Sequence, residues 1–142
     1  MALQECWGLY EKEYEGNPLR IRLNEGIEDY VCHPRYMHQI CIAVPLNDAD
    51  DTGFPFPEEC KLLDELEMLL KEKLEQQQIS VFAAVVTSNG YRVFILYTYL
   101  PDYCLKTVNE LNNDWIYHPI TSTAQEDRNW ETIEELIENT KR

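Results

Sequence analysis

The sequence predicts an α+β fold: a ferredoxin-like βαββαβ antiparallel sheet with an N-terminal β-hairpin and a C-terminal helix added. Three observations predict it. Residues 79–99, ISVFAAVVTSNGYRVFILYTY, are two apolar strands joined by Asn89-Gly90, the dipeptide suited to a type I′ turn with positive φ at both central residues. From Met37 onward the periodicity runs strand, helix, strand, strand, helix, strand. A further strand pair precedes this run and an amphipathic helix follows it.

In order along the chain, residues 7–14 and 19–23 read as two strands around the turn Glu15-Gly16-Asn17-Pro18. Leu19, Ile21 and Leu23 alternate with Arg20 and Arg22, so one side is apolar and the other wet. Residues 24–36 read as a connecting loop. Residues 37–46 form the third strand, which Pro45 ends or marks as an edge. An acidic loop, 47–55, leads to a helix over 57–77, with Pro57 pre-set for the first turn and Glu58-Glu59 at the positive end of its dipole. Leu63, Leu66, Leu70 and Leu74 make its stripe, widened by Leu62 and Leu69; about three turns suit a core-facing helix rather than a coiled coil. After the Asn89-Gly90 hairpin, Pro101 opens a second helix with Cys104, Val108 and Leu111 on one side. Trp115-Ile116-Tyr117 reads as a short strand ended by His118-Pro119. A polar loop then reaches a last helix over 130–141, with Trp130, Ile133 and Ile137 on one side, Asp127 or Asn129 as cap, and Lys141-Arg142 at its negative end.

The central hairpin is apolar on both sides. Tyr91, Val93, Ile95, Tyr97 and Tyr99 alternate with Phe94, Leu96 and Leu100; Val81, Ala83 and Val85 alternate with Phe82, Ala84 and Val86. A sheet with one wet face alternates apolar with polar, so this one is expected to be covered twice. Helices cover one face; the chain's own termini, through Trp7 and Trp130, or a second subunit cover the other.

With 142 residues the chain suits one domain: hairpin and loop over 1–36, ferredoxin-like core over 37–119, C-terminal helix over 120–142. No internal repeat or low-complexity tract interrupts it. Hydrophobic residues make up 44% of the chain, which argues against disorder. No apolar run approaches the ~20 residues needed to span a bilayer, and the N-terminus lacks a signal peptide's basic start and apolar stretch, so a cytoplasmic protein is expected. Twelve basic against 26 acidic residues give a formal charge of −14, which disfavours nucleic acid and anionic membrane as partners. The acidity serves solubility or complements a basic partner protein. Five scattered cysteines (Cys6, Cys32, Cys41, Cys60, Cys104) without a CxxC pair read as reduced thiols.

No motif specifies chemistry. Asp48 to Glu59 follows EF-hand spacing except for Thr52, but a strand precedes it where a helix is required and Pro55 and Pro57 obstruct the loop path. Glu59 is better explained as a first-turn helix residue. Cys32, His33, His38 and Cys41 lack tight zinc spacing, and His38 and Cys41 would point to opposite sides of a strand. Cysteine-histidine pairs have no flanking signature, Ser88 has no nucleophile elbow, and both phosphate-binding glycine motifs are missing.

Several runs together carry a family likeness: W-x-x-Y at Trp7 to Tyr10, I-R-L-N at Ile21 to Asn24, I-A-V-P-L at Ile42 to Leu46, G-F-P-F-P-E-E at Gly53 to Glu59, L-D-E-L-E in the helix, T-S-N-G-Y-R-V-F-I-L-Y-T at Thr87 to Thr98, Asn113-Asp114-Trp115, and Tyr117-His118-Pro119. In that order and spacing the chain resembles the bacterial domain of unknown function 695 family over nearly its whole length. The resemblance implies a small α+β domain, distantly like regulator of ribonuclease E activity B, a protein inhibitor. It implies no catalytic residues, since the family has no established activity.

The expected function is accordingly a non-enzymatic, acidic protein-interaction or regulatory module, with no catalytic residue, metal or cofactor assigned. Its partner is a protein, with a basic one favoured by charge, and a homodimer stays open. The alternative is a small-ligand-binding or enzymatic domain whose pocket is lined by the hairpin tyrosines and loop 53–59; a third reading is a neutralising partner of a basic toxin. The candidate ligand or partner surface comprises Tyr91, Arg92, Tyr97, Tyr99, Phe54, Phe56 and Trp115.

Overall fold

The structure is a computed structural model that describes residues 7–140. Its strands are β1 (Trp7–Tyr14), β2 (Asn17–Asn24), β3 (His38–Pro45), β4 (Ser80–Ser88), β5 (Tyr91–Thr98) and β6 (Thr121–Glu126); its helices are α1 (Pro57–Leu74), α2 (Pro101–Asp114) and α3 (Glu131–Thr140). The strands form one six-stranded sheet of order β1-β2-β4-β5-β3-β6, antiparallel at every pairing. The fold is therefore α+β. Among the described residues no helix is long and apolar enough to cross a membrane.

Two tight turns set the register. Asn89 (φ 52°) and Gly90 (φ 83°) link β4 to β5, with Ser88 opposite Tyr91. Both central residues have the positive φ that a type I′ turn demands, as the dipeptide predicts. Glu15 (φ 50°) and Gly16 (φ 83°) do the same between β1 and β2, so β2 starts at Asn17 and absorbs Pro18, which the sequence reading assigns to the turn.

A β-bulge between Phe82 and Ala84 shifts the β4–β5 register. It also breaks the simple alternation expected along β4. Val81, Ala83 and Ala84 pack on one side of the sheet, whereas Phe82 and Val85 pack on the other. The extra residue turns a strand of strict period two into one that feeds both cores. Asn24 secures the irregular point: its Nδ2 donates to the Phe82 carbonyl at 2.9 Å, and its Oδ1 accepts the Gly26 amide at 3.1 Å, starting a 3₁₀ turn over Glu25–Tyr30.

One face of the sheet carries Ile40, Ile42, Val44, Phe82, Val85, Phe94 and Leu96 beneath the α1 stripe Leu63, Leu66, Leu70 and Leu74 and the α2 residues Cys104, Val108 and Leu111. The other carries Ile21, Leu23, Val81, Ala83, Ala84, Ile95 and Tyr97, covered by Ile27, Tyr36, Trp130 and Ile133. The sheet is thus covered twice from within the chain. Of the two tryptophans expected to cover the second face, Trp130 does so. Trp7 instead packs against the helix-side core, where the Arg22 guanidinium and Lys71 Nζ lie 5.1 and 4.8 Å from its ring centroid.

Three further expectations need correction. Trp115-Ile116-Tyr117 is not a strand: Trp115 is the C-cap of α2, Ile116 is 82% exposed, and the sixth strand is Thr121–Glu126. That strand falls in the stretch read as a polar loop because TSTAQE, with all but Ser122 exposed, carries no apolar alternation. The first helix stops at Leu74, since Gln77 and Gln78 adopt φ of 55° and 59° in the 3₁₀ turn that follows it. Pro45 closes its strand, as expected, and β3 lies inside the sheet between β5 and β6. Cys6, Lys141 and Arg142 lie outside the described residues.

Candidate functional site

Each sheet face holds a polar cluster. On the second face, the indole of Trp130 stacks on the ring of Tyr97 at 3.8 Å and 8°. Its Nε1 donates to the Tyr36 carbonyl at 2.7 Å. The Tyr97 hydroxyl donates to Asp127 Oδ2 at 2.7 Å and accepts from Gln39 Nε2 at 3.1 Å. Asp127 also caps α3, with Oδ1 accepting the Glu131 amide at 2.9 Å. Burial, seconded by the Asp127 bond, pushes the Tyr97 hydroxyl far above the usual tyrosine range. Cys41, beside Gln39, is likewise raised by burial and then by Asp127. These groups bond to one another and fix a helix start; none is an activated nucleophile.

On the helix face, Glu59 in the first turn of α1 accepts the amides of Asn47 and Asp48 at 2.6 and 3.1 Å. Its Oε2 also meets His118 Nε2 at 2.7 Å, while Trp115 Nε1 donates to His118 Nδ1 at 3.2 Å. Because Nδ1 accepts, the remaining ring proton belongs on Nε2. Burial pushes Glu59 up, but the bonds from Asn47, His118 and Asp48 outweigh it and hold the carboxylate below its ordinary value. With the His118 side chain fully buried and both ring nitrogens engaged, the trio clamps loop 47–55 and the α2 exit onto α1. It leaves no nitrogen to move a substrate proton.

Glu59 turns to backbone amides and a histidine, and Asp50 Oδ1 accepts the Thr52 and Phe54 amides at 2.8 and 3.1 Å within the loop. Among the described residues no group of three or more His, Cys, Asp or Glu side chains is arranged to hold a metal ion.

The seven candidate surface residues separate. Tyr97 is fully buried in the second core. Tyr91, on the same side of β5, is 51% exposed at the hairpin end. Tyr99 is half-buried under the Arg35 guanidinium, 4.3 Å from its ring centroid. Trp115 is buried against His118. Phe56 is the exposed N-cap of α1, and Phe54 lies 4.2 Å below the Arg20 guanidinium. Arg92 points to the helix face. Its neighbours across the sheet are Thr87 on β4 and, beyond that, Arg20 on β2. So Phe54 and Arg92 share a face through Arg20 and Thr87, whereas Tyr91 and Tyr97 lie on the opposite one.

What the sequence reading misses is the far end of the sheet. β6 pairs with β3 over His38 to Ala43 and, among the described residues, borders no strand on its other side. Beside it an open groove of about 700 Å³ runs along α2, lined by Leu105, Lys106, Val108, Asn109, Asn112 and Ile120. Thr121 and Ser122 of β6 complete its lining, Ser122 lying opposite Ile42. The only sequence signal was β-branched Thr121 and Thr123 in a stretch without helix periodicity.

Comparison with known proteins gives one match. The profile of the family of unknown function DUF695 matches residues 5–137. No curated protein and no solved structure matches the chain.

Proposed function

The chain belongs to the DUF695 family, which is of unknown function, and from that premise we propose that it is a non-enzymatic interaction module that takes up an extended segment of a basic partner protein along β6. The free β6 edge carries this reading. An edge strand presents unpaired N–H and C=O groups, and proteins that do not use such an edge usually blunt it with lysine, proline, a bulge or a covering element. β6 has none of these within TSTAQE, and its only charge is the terminal Glu126. The opposite edge, β1, carries Glu11, Lys12 and Glu13 in succession. An added strand would gain main-chain hydrogen bonds along β6 and could set alternate apolar side chains against Leu105, Val108 and Ile120. The formal charge of −14 favours a basic occupant over a second, equally acidic copy.

We propose further that the core is ferredoxin-like. A ferredoxin-like core is supported by the segment β4-β5-β3-β6 of the strand order, with α1 between β3 and β4 and α2 between β5 and β6. A cytoplasmic location is likewise proposed, on the charge and on the free thiols of Cys32, Cys41, Cys60 and Cys104.

A titration followed by backbone amide NMR tests the docking mode, using a synthetic alternating Lys-Val decapeptide as the probe. Saturable shifts centred on residues 121–126, weakened at high salt and abolished by Thr121→Lys with Thr123→Lys, are the expected result. Both threonines are exposed, so the double variant is expected to fold. Shifts elsewhere, or undiminished binding by the double variant, would overturn the β6 assignment.

A further inference from the structure

Arg92 is an arginine in an unusual setting. It is 7% exposed, in a chain where 12 basic residues are outnumbered by 26 acidic ones. Its Nε donates to the buried Thr87 Oγ1 at 3.1 Å, and it forms no other hydrogen bond and no ion pair among the described residues. Its terminal nitrogens are not among the buried atoms that lack a partner, so they are the part of the side chain that meets solvent. One nitrogen is pinned, and the terminal nitrogens keep a narrow contact with solvent.

A buried charge is costly unless it is paired and hydrogen-bonded. The nearby carboxylates do not meet that need. Glu67 is taken by Arg22, whose Nη2 lies 2.8 and 2.7 Å from its two oxygens, and by Lys71 at 3.5 Å. Asp64 acts on Arg92 only through space, as do Cys60 and Arg22, and no carboxylate comes within ion-pair distance. Across the sheet, Arg20 opposes Thr87 on the same face, with its own Nε buried and without a partner. Two arginines of adjoining rows thus have donor capacity that the protein leaves unfilled.

The geometry points to an oxyanion site: we propose that the Arg92 fork, pinned by Thr87, binds the carboxylate or phosphate group of a small molecule. Guanidinium is the side chain best matched to such a group, because two parallel N–H donors meet two oxygens. The net charge of −14 disfavours a polyanion as the source and favours a small free ligand. Arg22, Asp64 and Glu67 are the charged neighbours, and with Arg92 itself the two signs balance, so the fork and not a local excess of positive charge would hold the group. The site lies on the helix face and does not depend on the β6 reading.

The test uses the full chain, with sodium phosphate and sodium acetate as separate probes against sodium chloride at matched ionic strength. Thermal unfolding and amide NMR are read together. The expected result is a saturable response at Thr87, Arg92 and Cys60 to at least one probe, with Kd of about 1 mM or tighter and a matching rise in Tm. Which probe responds distinguishes phosphate from carboxylate. Arg92→Met keeps a comparable stem without the charge and is expected to lose the response at least tenfold, whereas Arg92→Lys keeps a weakened one. If Arg92→Met does not fold, Arg92→Lys decides the matter alone: an unchanged response rejects the fork. A linear response to both probes, no response, or the same saturation in Arg92→Met would overturn the proposal.

Discussion

The two faces of the sheet are sealed in different ways. The helix face is closed by area spread over many side chains: four leucines of α1 and three residues of α2 lie on seven strand residues, and its polar trio sits at one end. The second face concentrates its cover in fewer groups. Trp130 is fully buried, stacks on Tyr97, donates to Tyr36, and begins a ten-residue helix held at its start by Asp127. Trp130 itself adopts a φ of 52°, a region that bulky residues avoid, so the packing of its ring outweighs the backbone cost. Distributed burial degrades gradually; concentrated burial fails at one residue.

The largest expected effect breaks this contrast most directly. Trp130→Ala should cost about 3–5 kcal/mol and release α3, so limited proteolysis cuts within residues 131–140 while the rest of the chain stays protected. Leu66→Ala should cost about 2–5 kcal/mol without any such selective release. Equal protease protection of α3 in both variants would mean that the two faces are sealed alike. Next in size, Asn24→Ala orphans the buried Phe82 carbonyl at the bulge and should cost about 1–3 kcal/mol, read by denaturant unfolding.

Smaller effects sharpen the contrast through pH. Tyr97 titrates above its ordinary value of 10.0 when folded, so its contribution is complete below pH 10 and is lost as pH rises from there toward the folded value. Tyr97→Phe should therefore lower stability by about 0.5–1.5 kcal/mol at neutral pH and flatten the alkaline limb of a stability–pH curve. Glu59 has the opposite sign. Its folded value is depressed, so its contribution is present above its ordinary value of 4.5 and is lost as pH falls through the folded value. Glu59→Gln should flatten the acid limb only. The second face then loosens in alkali and the helix face in acid, and a variant that alters both limbs would show the clusters to be coupled.

Much of this organisation was legible before the fold. Asn89-Gly90, the α1 leucine stripe, Cys104, Val108 and Leu111 of α2, and Asp127 as a cap all sit where local patterning puts them. β6 was illegible because an edge strand with almost every side chain in water has no need of apolar alternation. The bulge was illegible because Ala83 and Ala84 are alike, and either fits either side of a strand. The residue type of Arg92 is visible in the sequence, whereas its burial and its single hydrogen bond, to Thr87, depend on contacts across the sheet.

By itself, then, the sequence determined what short-range chemistry controls. It set the turns that need positive φ, the helices with a period of about 3.6 residues, the doubly apolar hairpin, and an acidity that disfavours polyanions. Only the tertiary structure decided which tryptophan covers which face, which strands form the two edges of the sheet, and which of the arginines is enclosed without a carboxylate. Those outcomes depend on contacts between residues far apart in the chain, such as Trp130 with Tyr36 and Asn24 with Phe82, and local periodicity carries no record of them.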